Sequence, residues 1–322
     1  MPDAMRVGIK LGSKVDDAQL RFARQIGCDG VVLQRSNRLP GDKLWEYEDL
    51  VRLREWVESH DLRIDALEDT PHGFWDKVRL GLPGREEQME NYLQTIRNIG
   101  RAGIPVLAYN FRPDPLYRTG TKVGRGGAVV TSFDRQLVDQ KNLTYGQEYS
   151  AEHMWEAYTY FIRAAIPVAE QSGVELALHP DDPPGPMIGG VARIFSSFEG
   201  FERGSRIIES PAWTLLFCVG CWAEMGGMES VMRGIEHFAS RDKISFVHFR
   251  DVVGVGDQFS ECFIGEGALD LPRVMRALKD AGFTGCLIDD HAPKMEGDDD
   301  WAPRAHAYQT GYLQGILRAV EG

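Results

Sequence analysis

The sequence predicts an α/β protein built as a single (β/α)8 TIM barrel. Short β-branched runs alternate with longer amphipathic stretches, eight such pairs fit within 322 residues, and no composition shift or linker divides them. The expected organisation is one domain over residues 1–322 with a long βα loop at about 111–150. A doubly wound open sheet is the competing architecture, and it would place a phosphate-binding glycine loop after an early strand. The one glycine cluster of note, Gly124-Arg-Gly-Gly127, follows the fourth strand and opens no helix.

Taken in order, the first strand is expected near Val7–Lys10 and its helix over Asp16–Gly27. The second pair is Val31–Gln34 with Lys43–Ser59, the third Arg63–Leu67 with Arg85–Ala102, and the fourth strand Pro105–Asn110 precedes the long loop and helix Ala151–Ser172. Then come Val174–His179 with Val191–Phe201, Thr214–Cys218 with Met228–Ala239, Ile244–His248 with Leu271–Ala281, and Cys286–Asp290 with Trp301–Ala319. Apolar residues recur at helical spacing in the longer stretches, and Gly27, Gly103, Gly173 and Gly282 supply left-handed stops before the next strand.

Composition excludes several function classes. A formal net charge of −12 argues against DNA, RNA or an anionic membrane as the main partner, since each requires a basic surface. It leaves room for a small anionic substrate held by a metal and a few arginines. The start MPDAMRVGIK runs almost straight into a strand, so no export signal is expected and the cytoplasm is the default compartment. Cysteines at 28, 218, 221, 262 and 286 are odd in number and scattered, which speaks against disulfides. A homo-oligomer is expected only from its general frequency among soluble enzymes.

The strand ends carry the chemistry. Strands five to eight end at His179, Cys218, His248 and Asp290. Each alone has an ordinary explanation as a bonded core histidine, an inert thiol or a turn aspartate. Four consecutive staves of a closed barrel converge on one axial pocket, however, and two imidazoles, a thiolate and a carboxylate suit a divalent first-row metal. Manganese is the expected ion, with iron and zinc as the other candidates. Cys218-Val-Gly-Cys221 is formally a C-x-x-C motif; without a second pair it is read as ligand Cys218 and packing Cys221.

Nearby groups could hold a carboxylate or move protons. Asp181, Asp182, Asp251, His291 and Tyr308 fall close to these strand ends or on the last helix. Arg250 lies two positions beyond His248, on the same face of an extended chain, where a guanidinium could grip a substrate carboxylate in a two-point fork or pair with a barrel acid. The long 111–150 segment is expected to act as a lid supplying arginines from among Arg112, Arg118, Arg125 and Arg135.

Leu178-His-Pro-Asp-Asp-Pro-Pro184, Tyr109-Asn-Phe111, Asp290-His291, Glu68-Asp-Thr-Pro71, the Cys218 strand and Phe246-Val-His-Phe-Arg250 resemble the mannonate dehydratases of the xylose-isomerase-like barrel superfamily. The likeness runs from about residue 60 onward. It implies a hydro-lyase that converts D-mannonate to 2-keto-3-deoxy-D-gluconate with a divalent metal on His179, Cys218, His248 and Asp290. It further implies acid–base work by His291 and Tyr308, with Arg250 beside the substrate. Asn110, Arg112, Asp181 and Asp182 complete the expected substrate-binding set. One departure is evident: the family's Phe-His-Glu segment with a second histidine three residues on is here Phe259-Ser-Glu-Cys-Phe-Ile264, and both histidines are absent. The rival readings are a metal-dependent sugar isomerase or epimerase on the same barrel, and a non-catalytic sugar-acid-binding relative.

Overall fold

The computed structural model describes residues 4–113, 115, 118–139 and 141–322. Four positions of the long loop expected as a lid, 114, 116, 117 and 140, and the first three residues of the chain therefore lie outside the described residues.

The barrel closes through its first stave. That strand is split at Gly8: Arg6–Val7 pairs with Cys286–Ile288, and Ile9–Leu11 pairs with Gly30–Gln34 on the other side. Between these neighbours run Arg63–Glu68, Val106–Tyr109, Glu175–Leu178, Trp213–Cys218 and Ile244–His248, all joined in parallel. Gly8 allows this double pairing. Its N–H donates to Leu287 O at 2.9 Å, and a Cβ there would stand 2.8 Å from both the Gly30 carbonyl oxygen and Cys286 Sγ.

Alternation along the staves separates two cores. Val32, Ala66, Ala108, Ala177, Leu216, Phe246 and Ile288 form one buried cluster with Cys218 and Cys286. Their sequence neighbours Val31, Leu33, Leu67, Leu107, Leu176, Leu178, Leu215, Phe217, Val247 and Leu287 belong to the larger cluster shared with the helices. The first set therefore fills the barrel and the second the layer around it, as the period of two requires.

The helices begin and end where their chemistry directs. Asp16 and Gln19 form a capping box before Asp17–Gln25. Ser150 caps Ala151–Ser172, which stops at left-handed Gly173, and Asp270 caps Leu271–Asp280. The other expected glycine stops, Gly27, Gly103 and Gly282, are left-handed as well.

Two helices differ from expectation. The sixth-strand helix covers Val219–Phe238 and starts directly at Cys218, with a break at Gly226–Gly227; those glycines hid its first turns from the periodic pattern. The stretch expected as helix over Val191–Phe201 begins instead as a small ladder, Met187–Ile188 against Val191–Ala192, and the helix is Phe198–Ser205 with Ser197 as its cap. Two left-handed glycines, Gly189 and Gly190, turn the chain between the paired segments.

The long segment is not only a loop. It contains the hairpin Gly120–Val123 and Val129–Asp134, which pairs with a second hairpin after strand seven, Val252–Val255 and Gln258–Glu261. Phe133 and Phe259 lie opposite each other in the ladder, with ring centroids 5.4 Å apart. Thus a four-stranded antiparallel sheet ties residues near 130 to residues near 260.

Gly8→Ala is expected to lower stability by about 1–3 kcal/mol, the usual range for forcing atoms into a filled core. Urea denaturation measures it; an unchanged midpoint would show that the closure has room for a side chain.

Candidate active site

The alternation that fills the barrel also selects the residues at its mouth. Two positions beyond the inward Val32, Ala66, Ala108, Ala177, Leu216, Phe246 and Ile288 come Gln34, Glu68, Asn110, His179, Cys218, His248 and Asp290. Lys10 takes the same place on the first stave. A cavity of about 450 Å³ opens over this layer, lined by Lys10, Gln34, Arg35, Glu68, Asp69, Tyr109, Asn110, Arg112, Pro115, His179, Asp182, Leu216, His248, Asp290 and His291. Its size and its position at the C-terminal ends of the strands suit a small-molecule site.

Ligand-competent atoms of His179, Cys218 and His248 lie within 4.8 Å of one another. Asp290 adjoins them: Cys218 Sγ is 3.9 Å from its Oδ2, and His248 Nδ1 is 3.5 Å from its Oδ1. The outer nitrogen of each imidazole is already used. His179 Nδ1–H donates to Pro180 O at 2.7 Å and His248 Nε2–H to Glu68 Oε2 at 3.1 Å. These bonds direct the remaining nitrogens inward, the arrangement that orients metal-binding histidines. His248 Nδ1 is buried and has no hydrogen-bond partner among the described residues. The donor set therefore fits a divalent ion.

Electrostatics prepare the same atoms. Burial opposes ionisation of Cys218, but its hydrogen bond with Cys221, the Arg250 guanidinium and the two imidazoles hold the thiol well below its ordinary range. Cys221 goes the other way, pushed well up by burial and by Cys218. Burial likewise works against Glu68 and Asp290. Lys10 and His248 nevertheless bring the Glu68 carboxyl down to about 2, while His291, Lys10 and His248 hold Asp290 well below the carboxylate range. The Lys10 ammonium is hydrogen-bonded to Asp290 Oδ1 and stands 3.8 Å from Glu68 Oε1.

Arg250 lies behind this layer and does not line the cavity. It is 1% exposed. Its NH1 donates to Asp182 Oδ2 at 3.0 Å and Glu261 Oε1 at 3.2 Å, and its NH2 donates to Glu224. Arg118 joins the cluster, donating to both Asp182 oxygens at 2.6 and 3.2 Å and also to Glu261. Burial would raise the Asp182 pKa, yet the two guanidiniums hold it well below its ordinary value. Burial and Asp182 push Glu224 well up, against the opposing pull of Arg250 and Arg118. A second convergent set, Asp182, Cys221 and Glu224, is thus occupied by guanidinium. Gly220 makes room for it, because a Cβ there would lie 2.0 Å from Arg250 Nε.

Of the expected site residues, His179, His248, Asp290, His291, Asn110, Arg112 and Asp182 line the cavity, with Cys218 buried beside it. Asp181 does not; it is buried and its Oδ2 accepts the Phe195 N–H at 2.8 Å. Tyr308 is also off the cavity, 38% exposed, with its ring 5.8 Å from Phe263 and Arg125 over it. Arg125 and Arg135 of the long segment pair with Glu266 and Asp257. Asp251 accepts backbone N–H groups of Val252, Gly265 and Gly267, a turn-forming role.

His291 faces the cavity with Nδ1 2.6 Å from Arg250 NH1 and 2.9 Å from Glu261 Oε1, and Nε2 3.6 Å from Asp290 Oδ2. Sequence reasoning did not single out Lys10, Gln34 and Arg35 at all, and took Glu68 and Asp69 only as part of a resemblance. The inward parity of strands one to three would have found Lys10, Gln34 and Glu68.

A family model described as D-mannonate dehydratase (UxuA) matches residues 5–146 and 140–322. The chain belongs to the D-mannonate dehydratase family. It is 30% identical to the mannonate dehydratase of Streptococcus pneumoniae (strain 70585) over 348 residues, covering 98% of this chain and 94% of the relative. Against the Thermotoga maritima mannonate dehydratase it is 29% identical over 351 residues, covering 96% of each. The crystal structure of mannonate dehydratase from Streptococcus suis serotype 2 superposes with a TM-score of 0.85 at 28% identity, over 99% of this chain and 94% of that one. An L-ribulose 3-epimerase, at TM-score 0.64 and 14% identity, shares the fold.

In this D-mannonate dehydratase family member, replacing Arg250 by Met is expected to cost about 3–5 kcal/mol, because buried carboxylates lose their counter-charge. Chemical denaturation with activity on the folded fraction tests this. Full stability with a raised KM alone would instead mark Arg250 as a direct carboxylate fork.

Proposed function

We propose that the protein dehydrates D-mannonate to 2-keto-3-deoxy-D-gluconate, with His179, Cys218, His248 and Asp290 holding a divalent ion, manganese by preference. The convergence of His179, Cys218 and His248 at the barrel mouth, in a chain of this family, carries the reading. When bound, such an ion supplies Lewis acidity for charge that develops on a carboxylate beside a deprotonated carbon.

The remaining roles belong to the chain's own groups. His291 is the imidazole at the cavity wall that can take the C2 proton, and Arg250 and Glu261 at its Nδ1 orient the ring. Lys10, fixed on Asp290, keeps that carboxylate ionised and ready as a donor. Asn110 and Arg112 line the opposite wall and offer amide and guanidinium hydrogens to substrate oxygens. Arg250 is proposed to act from behind, pinning Asp182, Glu224 and Glu261 so that His291 meets a fixed partner. Tyr308 lies off the cavity, so both proton transfers are assigned to His291, which takes the C2 proton and gives a proton to the C3 hydroxyl as it leaves as water.

The substrate is proposed to be a free sugar acid, and the compartment the cytoplasm. All five cysteines are unpaired, as suits reducing surroundings. Among the described residues no helix is long and apolar enough to cross a membrane.

Cys218→Ala is expected to lose bound metal and activity together, read by metal analysis and turnover on one preparation; full metal stoichiometry would refute the ligand assignment. The reaction class is read by turnover of D-mannonate in deuterated water. Dehydration removes the C2 hydrogen and the C3 hydroxyl, and the resulting enol takes a solvent hydrogen at C3, so the product should carry deuterium there. A hydride-shift isomerase would keep every oxygen and take up no label, and an epimerase would exchange only at the inverted carbon.

A further inference from the structure

The cavity has two halves with different chemistry. Strands five to eight contribute the proposed metal ligands and His291, whereas strands two to four contribute Gln34, Arg35, Glu68, Asp69, Asn110 and Arg112. Two residues of the second half share an uncommon backbone. Arg35, with φ 44°, and Asp69, with φ 60°, each directly follow a barrel strand and occupy the left-handed region without being glycine. Among the described residues the other non-glycine cases, Asp61, Asp242 and Ala302, do not line the cavity.

A Cβ is disfavoured in that region, and a long side chain such as arginine gains no local hydrogen bond to offset it. Neighbouring staves hold the bend in place. The Arg35 N–H donates to Glu68 O at 3.1 Å, and the Asp69 N–H donates to Ala108 O at 3.0 Å. The bend brings the side chains together over the cavity. Arg35 stands 3.9 Å from the Asp69 carboxylate, and Asn110 Nδ2 donates to Asp69 Oδ1 at 2.7 Å. The Arg35 side chain is 53% exposed, so packing does not account for its identity. Backbone stability alone would favour glycine at Arg35; a strained position that presents an ionic side chain to a cavity points to binding.

The ligand chemistry follows from the pair. A guanidinium only donates hydrogen bonds and a carboxylate only accepts them, so side by side they match neighbouring hydroxyl groups, which do both. The charged end of a sugar acid belongs with the metal ligands across the cavity. We infer that Arg35 and Asp69 hold the hydroxyl-bearing tail of the substrate and thereby set the chain length that the site accepts. The inference rests on the sugar-acid reading of the site.

Binding probes that do not turn over separate this inference from the dehydratase reading. 2-Keto-3-deoxy-D-gluconate has a six-carbon chain with a polyol tail, and pyruvate has the same keto-acid end without the tail. Titration calorimetry on the manganese-loaded protein, with melting curves, compares wild type, Arg35→Gly and Asp69→Gly. Wild type is expected to bind the six-carbon acid at least about tenfold more tightly, as for loss of hydrogen bonds to charged groups. Both variants should lose that preference while keeping pyruvate affinity within about twofold, and Arg35→Gly should melt at or above the wild-type temperature because the strain is relieved. The inference is overturned if wild type shows no preference, if either variant keeps it or weakens both acids alike, or if Arg35→Gly melts lower. Turnover of D-mannonate by wild type decides the dehydratase reading separately.

Discussion

A parallel strand in a closed barrel sends every second side chain to the axis, and this protein depends on that constraint throughout. The inward residues below the mouth are small or apolar, among them Val32, Ala66, Ala108 and Ala177. The next inward position on each stave is polar or a thiol, from Lys10 around to Asp290. Packing and chemistry are therefore adjacent layers of one pattern. Closure at Gly8 keeps the layers in register, since a side chain there would push against the Gly30 backbone and Cys286 together.

Placing so many ionisable groups at the end of a filled barrel is costly unless the charges balance. The balance here is local. Lys10 lies between Asp290 and Glu68 on one side of the proposed ligands. Arg118 and Arg250 stand among Asp182, Glu224 and Glu261 on the other. Removing a single member leaves its partners buried without compensation, so the network couples stability to the shape of the site. Arg250, which by spacing alone could have gripped substrate or paired with barrel acids, has the second arrangement in this fold.

The two hairpins connect parts of the chain that are distant in sequence. Arg118 precedes one and Glu261 ends the other; their ladder brings both onto Asp182 or Arg250 and brings Glu261 to His291. The segment that departs from the family pattern, Phe259-Ser-Glu-Cys-Phe-Ile264, still delivers this glutamate. Phe259 keeps its place through the Phe133 ring and the Arg118 guanidinium over its face.

Much of this was legible in one dimension because it depends on short-range periodicity. Eight β-branched runs, capping residues such as Ser150 and Asp270, and the glycine stops act over a few residues, so they mark the staves and most helices directly. His179, Cys218, His248 and Asp290 were visible for the same reason, as the next inward residues after apolar strands. The hairpins were not, because Gly120–Val123 is wholly exposed and carries no apolar alternation, and its partner Val129–Asp134 pairs on its other side with Gln258–Glu261, a distant part of the chain. Nor could spacing tell that Arg250 would turn to Asp182, Glu224 and Glu261, or that Tyr308 would pack against Phe263 outside the cavity. The sequence by itself determined which residues face inward, since alternation is a property of the strand. Only the tertiary structure decided which charges meet, because ion pairing depends on distances between segments that the linear order leaves open.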